Sequence, residues 1–152
     1  MQKHDEKLER ARELLEGGEP TLDELAAAVG LSASHLQRSF SARYGLSPAH
    51  YLAQKKLGAL KSGLRAGSEV SAALYDAGYG SPSRVYEQGA IKLGMTPATY
   101  RAGGAGMQIH WSLVQTVLGS ALVAATERGI CAIELGEDAV LLERNLHHEF
   151  PN

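Results

Sequence analysis

The sequence predicts a mainly helical chain: two helix-turn-helix units joined by a linker helix, followed by a small partial α/β segment of three strands plus a helix. Three observations carry this. The chain repeats itself at an offset of 49 residues: Leu25–Leu52 aligns without a gap on Leu74–Arg101, and 8 of 28 positions are identical. Ordinary residue frequencies would give about two. Within each copy, apolar residues recur at helical spacing and glycines punctuate them. After "RAGGAGM", residues 101–107, the chain turns to short β-prone runs.

In the first copy Thr21 and Glu24 form a capping box, and Leu22, Leu25, Ala26 and Val29 follow with helical spacing. Gly30 ends that helix, because glycine tolerates the left-handed conformation of a helix end. Ser32 caps a second helix, on which Leu36, Phe40 and Tyr44 form a core-facing stripe at i, i+4, i+8. In the second copy Ser68 caps a helix over residues 70–77, Gly78 and Gly80 make the turn, and Ser81-Pro82 opens a helix over residues 82–93. Gly89 stands in that helix where the first copy has Phe40, at a cost of roughly 1 kcal/mol against alanine.

The phrases "GLSPAHY" (residues 45–51) and "GMTPATY" (residues 94–100) each stop a helix at glycine and start another at Ser-Pro or Thr-Pro. Between the copies, residues 48–65 read as one helix with Ala53, Leu57, Leu60 and Leu64 on a face. About 18 residues at 1.5 Å rise span roughly 27 Å. Such a strut would hold two recognition helices about one DNA turn, roughly 34 Å, apart.

The tail reads as strands over residues 109–115, 121–126 and 130–135, with turns near Leu118-Gly119 and Glu127–Gly129. A helix over residues 139–150 follows, with Leu142, Leu146 and Phe150 on one face. The stretch 101–107 reads as a flexible hinge. So small a hairpin-rich segment is marginal by itself, with edges that invite pairing to another chain. Cys131 alternates with Ile133 and Leu135, which places the three on one strand face and makes the thiol a small, inert hydrophobe.

Net charge is −2 over 152 residues, with 44% hydrophobic residues. That average hides an asymmetry. Residues 1–24 carry 4 basic and 8 acidic side chains, residues 25–102 carry 9 and 3, and residues 103–152 carry 2 and 6. A positive middle between negative ends fits a polyanionic partner. No run of about 18 apolar residues exists for a membrane span, and the N-terminus lacks an apolar signal core. A single cysteine excludes an intramolecular disulfide, so the expected location is cytoplasmic. "GYGSPS" lacks the third glycine of a dinucleotide loop, and "HHEF" lacks the cysteines of a zinc site. No cofactor, metal or small-molecule ligand is expected.

"LAAAVGLSASHLQRSFSARYGLSPAHYL" and the closing "LGMTPATYR" resemble the DNA-binding module of the AraC/XylS family of transcription regulators, over about residues 6–102. "DAGYGSPSRVYEQGAIKLGMTPATYRAGG" is similar to the Ada-type alkylation-response members, and "LVAATERGICAIELGED" looks like the opening of their methyltransferase domain. The resemblance implies residues 1–102 as a double helix-turn-helix DNA-binding domain and 103–107 as a linker. Residues 108–152 would be the N-terminal part of a methyltransferase ribonuclease-like domain. The family's four-cysteine zinc module and Pro-Cys-His-Arg acceptor motif do not occur, so this chain is not itself expected to be an enzyme.

Family correspondence and chemistry agree on Ser34, Gln37 and Arg38 as base-edge contacts. Arg pairs bidentately with guanine and Gln with adenine. On the second copy's helix Ser83, Arg84, Glu87 and Gln88 are the expected base contacts, where Glu87 can accept from cytosine. Arg43, Lys55, Lys56, Lys61 and Lys92 are expected phosphate contacts, which position without reading sequence. The implied partners are double-stranded promoter DNA and, from the family alone, RNA polymerase. The alternatives are a fragment of a repair methyltransferase and a helix-turn-helix module for protein contacts.

Overall fold

The computed structural model of the chain describes residues 2–80 and 92–152. It divides into two compact units, Met1–Lys56 and Leu57–Asn152. The boundary between these units falls inside a helix.

The first unit contains α1 (Gln2–Gly17), α2 (Leu22–Val29), α3 (Ala33–Tyr44) and the start of α4 (Pro48–Arg65). The capping box forms: the Thr21 hydroxyl accepts from the Glu24 amide at 3.3 Å, and the Glu24 carboxylate accepts from the Thr21 amide at 2.8 Å. Donation from the Thr21 amide, and from the Thr21 hydroxyl at 2.9 Å, holds the Glu24 carboxyl below the usual carboxylate range. Gly30, at φ 63°, closes α2, and the Ser32 hydroxyl accepts from the His35 amide to open α3. Leu36 and Phe40 are fully buried against Leu25, Ala26 and Val29. The remaining cover is α1, whose Leu8, Ala11 and Leu15 enter the same core.

The second unit contains the rest of α4, α5 (Val70–Asp76), α6 (Pro97–Arg101), the strands β1 (His110–Thr116), β2 (Gly119–Thr126) and β3 (Gly129–Gly136), and α7 (Ala139–Glu149). The strands form one antiparallel sheet in the order β1-β2-β3, with Leu113 opposite Leu122 and Val123 opposite Ile133. One hydrophobic core joins Leu57, Leu60 and Leu64 of α4 to Leu74 of α5, Tyr100 of α6, Leu122 and Ala124 of β2, and Leu142 and Leu146 of α7. The segment expected to be marginal by itself therefore shares its core with the second helical unit.

Three local expectations are corrected. Glu69, not Ser68, occupies the N-cap of α5, and it makes no side-chain cap hydrogen bond. Residues 101–107 form successive hydrogen-bonded turns rather than a flexible hinge. Gly103, Gly104 and Gly106 adopt positive φ there, and the Gly104 amide donates to the Thr99 carbonyl. Cys131, Ile133 and Leu135 do not share a face. Ala124 pairs with Ala132 and Ala125 with Ile130, so Cys131 is the extra residue of a β-bulge. Cys131 and Ala132 are consequently both buried, while Ile133 and Leu135 are exposed. The helix expected over residues 82–93, with Gly89, lies outside the described residues except at its last two positions.

Candidate nucleic-acid interface

The candidate interface begins with what α3 does with its two faces. Inside, Phe40 meets the Tyr44 ring at 4.5 Å and the Tyr51 ring at 5.8 Å. Tyr44 donates to the Glu9 carboxylate at 2.9 Å. That bond, with the stronger one from Arg12, keeps the Glu9 carboxyl below its ordinary value. On the outside, Ser34, Gln37 and Arg38 are exposed at spacings of three and four, so they lie on one face. None of the three bonds or pairs with a described residue.

The turn that sets α3 against α2 has a support that the sequence reading missed. The Lys7 ammonium donates to the Gly30 carbonyl at 2.8 Å, a cation on the C-terminus of α2. No local pattern signals it, because the partners are 23 residues apart.

The expected phosphate contacts are disposed differently from the base readers. The Arg43 guanidinium pairs with Asp5 at 3.0 Å and lies 5.5 Å from the Tyr44 ring centre. Lys55 donates to the Leu15 and Glu16 carbonyls at 2.9 and 2.6 Å, closing the end of α1. Lys56 pairs with Glu19 at 2.6 Å. Lys61 donates to the Cys131 carbonyl at 2.8 Å, over the Tyr100 ring. Burial pushes its ammonium below the usual lysine value. Lys92 is exposed. Four of these five cations are thus engaged within the protein, whereas the α3 trio is not.

In the second unit α5 buries Ala73 and Leu74, and Gly78 follows at φ 84°. Ser83, Arg84, Glu87 and Gln88 lie outside the described residues. Burial pushes the Cys131 thiol up from its ordinary value, which favours the unreactive thiol form.

A short, glycine-closed helix pair with a free polar trio on its second helix is the arrangement that sequence comparison then matches. Residues 25–103 fit the helix-turn-helix domain family, over half of the chain. The chain belongs to that family, in its AraC type. Residues 109–152 match the 6-O-methylguanine DNA methyltransferase ribonuclease-like domain. The chain is 37% identical over 147 residues to the bifunctional transcriptional activator/DNA repair enzyme Ada of Escherichia coli (strain K12), a match covering 96% of this chain and 42% of that protein. It is 38% identical over 153 residues to the regulatory protein ada of Salmonella typhimurium (strain LT2), covering 100% and 43%. The chain therefore spans less than half the length of these relatives. Its domain composition is an AraC-type helix-turn-helix followed by the ribonuclease-like segment. The parts matched are the helix-turn-helix and ribonuclease-like domains, not the catalytic part of the methyltransferase.

Proposed function

We propose that this chain binds promoter DNA sequence-specifically and activates transcription, as the DNA-reading part of an Ada-like response to DNA alkylation. One observation carries the proposal. Ser34, Gln37 and Arg38 stand exposed and unengaged on a helix whose other face is locked into a core. Side chains held ready on a rigid support are what base-edge recognition in the major groove requires. Ser83, Arg84, Glu87 and Gln88 are the second reading set, from the repeat. Arg43 and Lys92, the exposed members of the expected set, are the phosphate contacts.

On this reading residues 1–102 carry DNA binding, and 108–152 are the ribonuclease-like segment of a protein with a separate methyl-accepting cysteine. Contact with RNA polymerase and action in the cytoplasm are part of the same proposal, supported by the activator named among the relatives. No helix among the described residues is long and apolar enough to cross a membrane.

Fluorescence anisotropy on duplex DNA across a salt series tests the proposal. Log K should fall with log salt by about 0.9 for each neutralised phosphate. Arg38→Ala should cost about 1–3 kcal/mol and relax base preference in one half of the selected site. A folded chain that ignores DNA at low salt would assign the helix pairs to protein contacts. Methyl transfer from O6-methylguanine DNA to Cys131 would instead make the chain an enzyme.

A further inference from the structure

The seam between the second helix-turn-helix unit and the sheet is built from specific contacts. At Gly94, which opens "GMTPATY", a methyl group would stand 2.6 Å from the Gly129 carbonyl oxygen and 2.9 Å from the Cys131 backbone nitrogen. The backbone of the helical unit therefore rests directly on the edge of β3, at the bulge. Buried Thr126 donates its hydroxyl to the Gly94 carbonyl. Lys61 reaches the same place from α4, donating to the Cys131 carbonyl at 2.8 Å. Tyr100 donates to Glu149 of α7, which Arg65 approaches at 3.7 Å. Asn152 donates to the Ala102 carbonyl at 3.1 Å.

These contacts bear on DNA reading through chain connectivity. Leu74, Ala77 and Tyr79 precede residues 81–91, and Leu93 and Met95 follow them. All five pack in the core that the sheet completes. Among the described residues, the helical unit thus has no hydrophobic core separate from the ribonuclease-like segment.

We propose that the ribonuclease-like segment is a working part of the second DNA-reading unit, with Lys61 and Thr126 as positioning residues that hold that unit to the sheet. Lys61 is accordingly not a phosphate contact. A change in the ribonuclease-like segment alters DNA reading through this seam. The inference rests on the reading that the chain binds DNA.

The test uses the whole chain with Lys61→Met and Thr126→Val, on a duplex selected from a random pool. Both variants keep side-chain bulk; Lys61→Met loses the bond to Cys131, and Thr126→Val loses the bond to Gly94 and the one its oxygen accepts from the Arg128 amide at 3.0 Å. Each should weaken binding roughly five-fold or more, about one hydrogen bond's worth per bond lost. Hydroxyl-radical protection should fade over one half of the site and persist over the half that Arg38→Ala disturbs. Intact protection of both halves, with a salt slope reduced by about 0.9 for Lys61→Met alone, would make Lys61 a phosphate contact and overturn the proposal. Unchanged binding by both variants would overturn it too. Urea unfolding separates this failure from loss of the DNA reading. Both variants should lower the transition that Leu74→Ala lowers, whether or not DNA binds. A wild-type chain that binds no DNA removes the functional half, and an unmoved transition removes the seam.

Discussion

"GLSPAHY" and "GMTPATY" share their local chemistry and differ in what covers them. Gly45 and Gly94 both adopt positive φ, 78° and 67°. Ser47 accepts from the His50 amide, and Thr96 from the Thr99 amide. Proline starts the next helix in both, and both tyrosines donate to a glutamate. Tyr51 finds Glu16 on α1, whereas Tyr100 finds Glu149 on α7. Nothing lies within 4 Å of a methyl group built on Gly45, while one on Gly94 would strike β3. A duplicated helix pair thus keeps its internal geometry and takes its cover from whatever flanks it. One copy is closed by a helix that precedes it, the other by a sheet that follows.

The sharpest way to break this comparison is to substitute both glycines. Gly45→Ala should cost about 1–2 kcal/mol, the strain of left-handed backbone at a residue with a Cβ. Gly94→Ala carries the same strain and a clash with backbone that cannot rotate aside, for about 3 kcal/mol or more. Urea denaturation of the two variants measures the difference, and equal losses would mean that the sheet does not press on Gly94.

The tyrosines give a smaller contrast. Tyr100→Phe leaves Glu149, whose side chain is only 8% exposed, without its donor, at a cost of about 1–3 kcal/mol. Tyr51→Phe takes a donor from exposed Glu16 and a partner from Arg12, whose guanidinium keeps its bonds to Glu9, and changes this near the surface stay within about 0.5 kcal/mol. Matching losses in thermal unfolding would argue that the two covers are equivalent.

The units should also differ in their response to pH. Among the described residues, the carboxyls held below their ordinary value of 4.5 are Glu9 and Glu24, both in the first unit. Their contribution is present above 4.5 and lost as acid protonates them, because the unfolded chain binds those protons more readily. In the second unit, burial raises Cys131 from 9.0 and Tyr100 from 10.0. There the folded state keeps its protons longer, so stability falls as pH climbs past 9. Lowered Lys61 works in the opposite sense as pH approaches 10.5 and offsets part of that loss. Unfolding midpoints read by probes in each unit should show the acid limb in the first and an alkaline limb in both, since Tyr44 and Tyr51 of the first unit are raised as well; Tyr100→Phe makes only the second unit's limb shallower.

Features made by neighbours in the chain were legible in the sequence. The Thr21 capping box, the Gly30 and Gly45 stops, the α4 limits and the three strands all depend on interactions within a few residues. The exposure of Ser34, Gln37 and Arg38 was legible for the same reason, since helical spacing turns them away from Leu36 and Phe40; their candidacy as base contacts came from the family resemblance. Long-range partners were not legible. Lys61 resembles any surface lysine until the Cys131 carbonyl, 70 residues on, is known to be beside it. The bulge at Cys131 depends on register with β2, which alternation within β3 cannot show. Glycine-rich 101–107 reads as flexible by composition, yet its positive-φ glycines make turns. The sequence reading assigned no element to α1, although Leu8, Ala11 and Leu15 have the spacing of a helix face.

Native-state hydrogen exchange on the whole chain tests most directly the claim that the second helical unit and the sheet are one structure. The slowest amides of α5 and those of β2 around Leu122 and Ala124 should open with one common free energy, lowered together by Thr126→Val. Sheet amides that exchange through a separate, easier opening, with α5 left protected, would contradict the account.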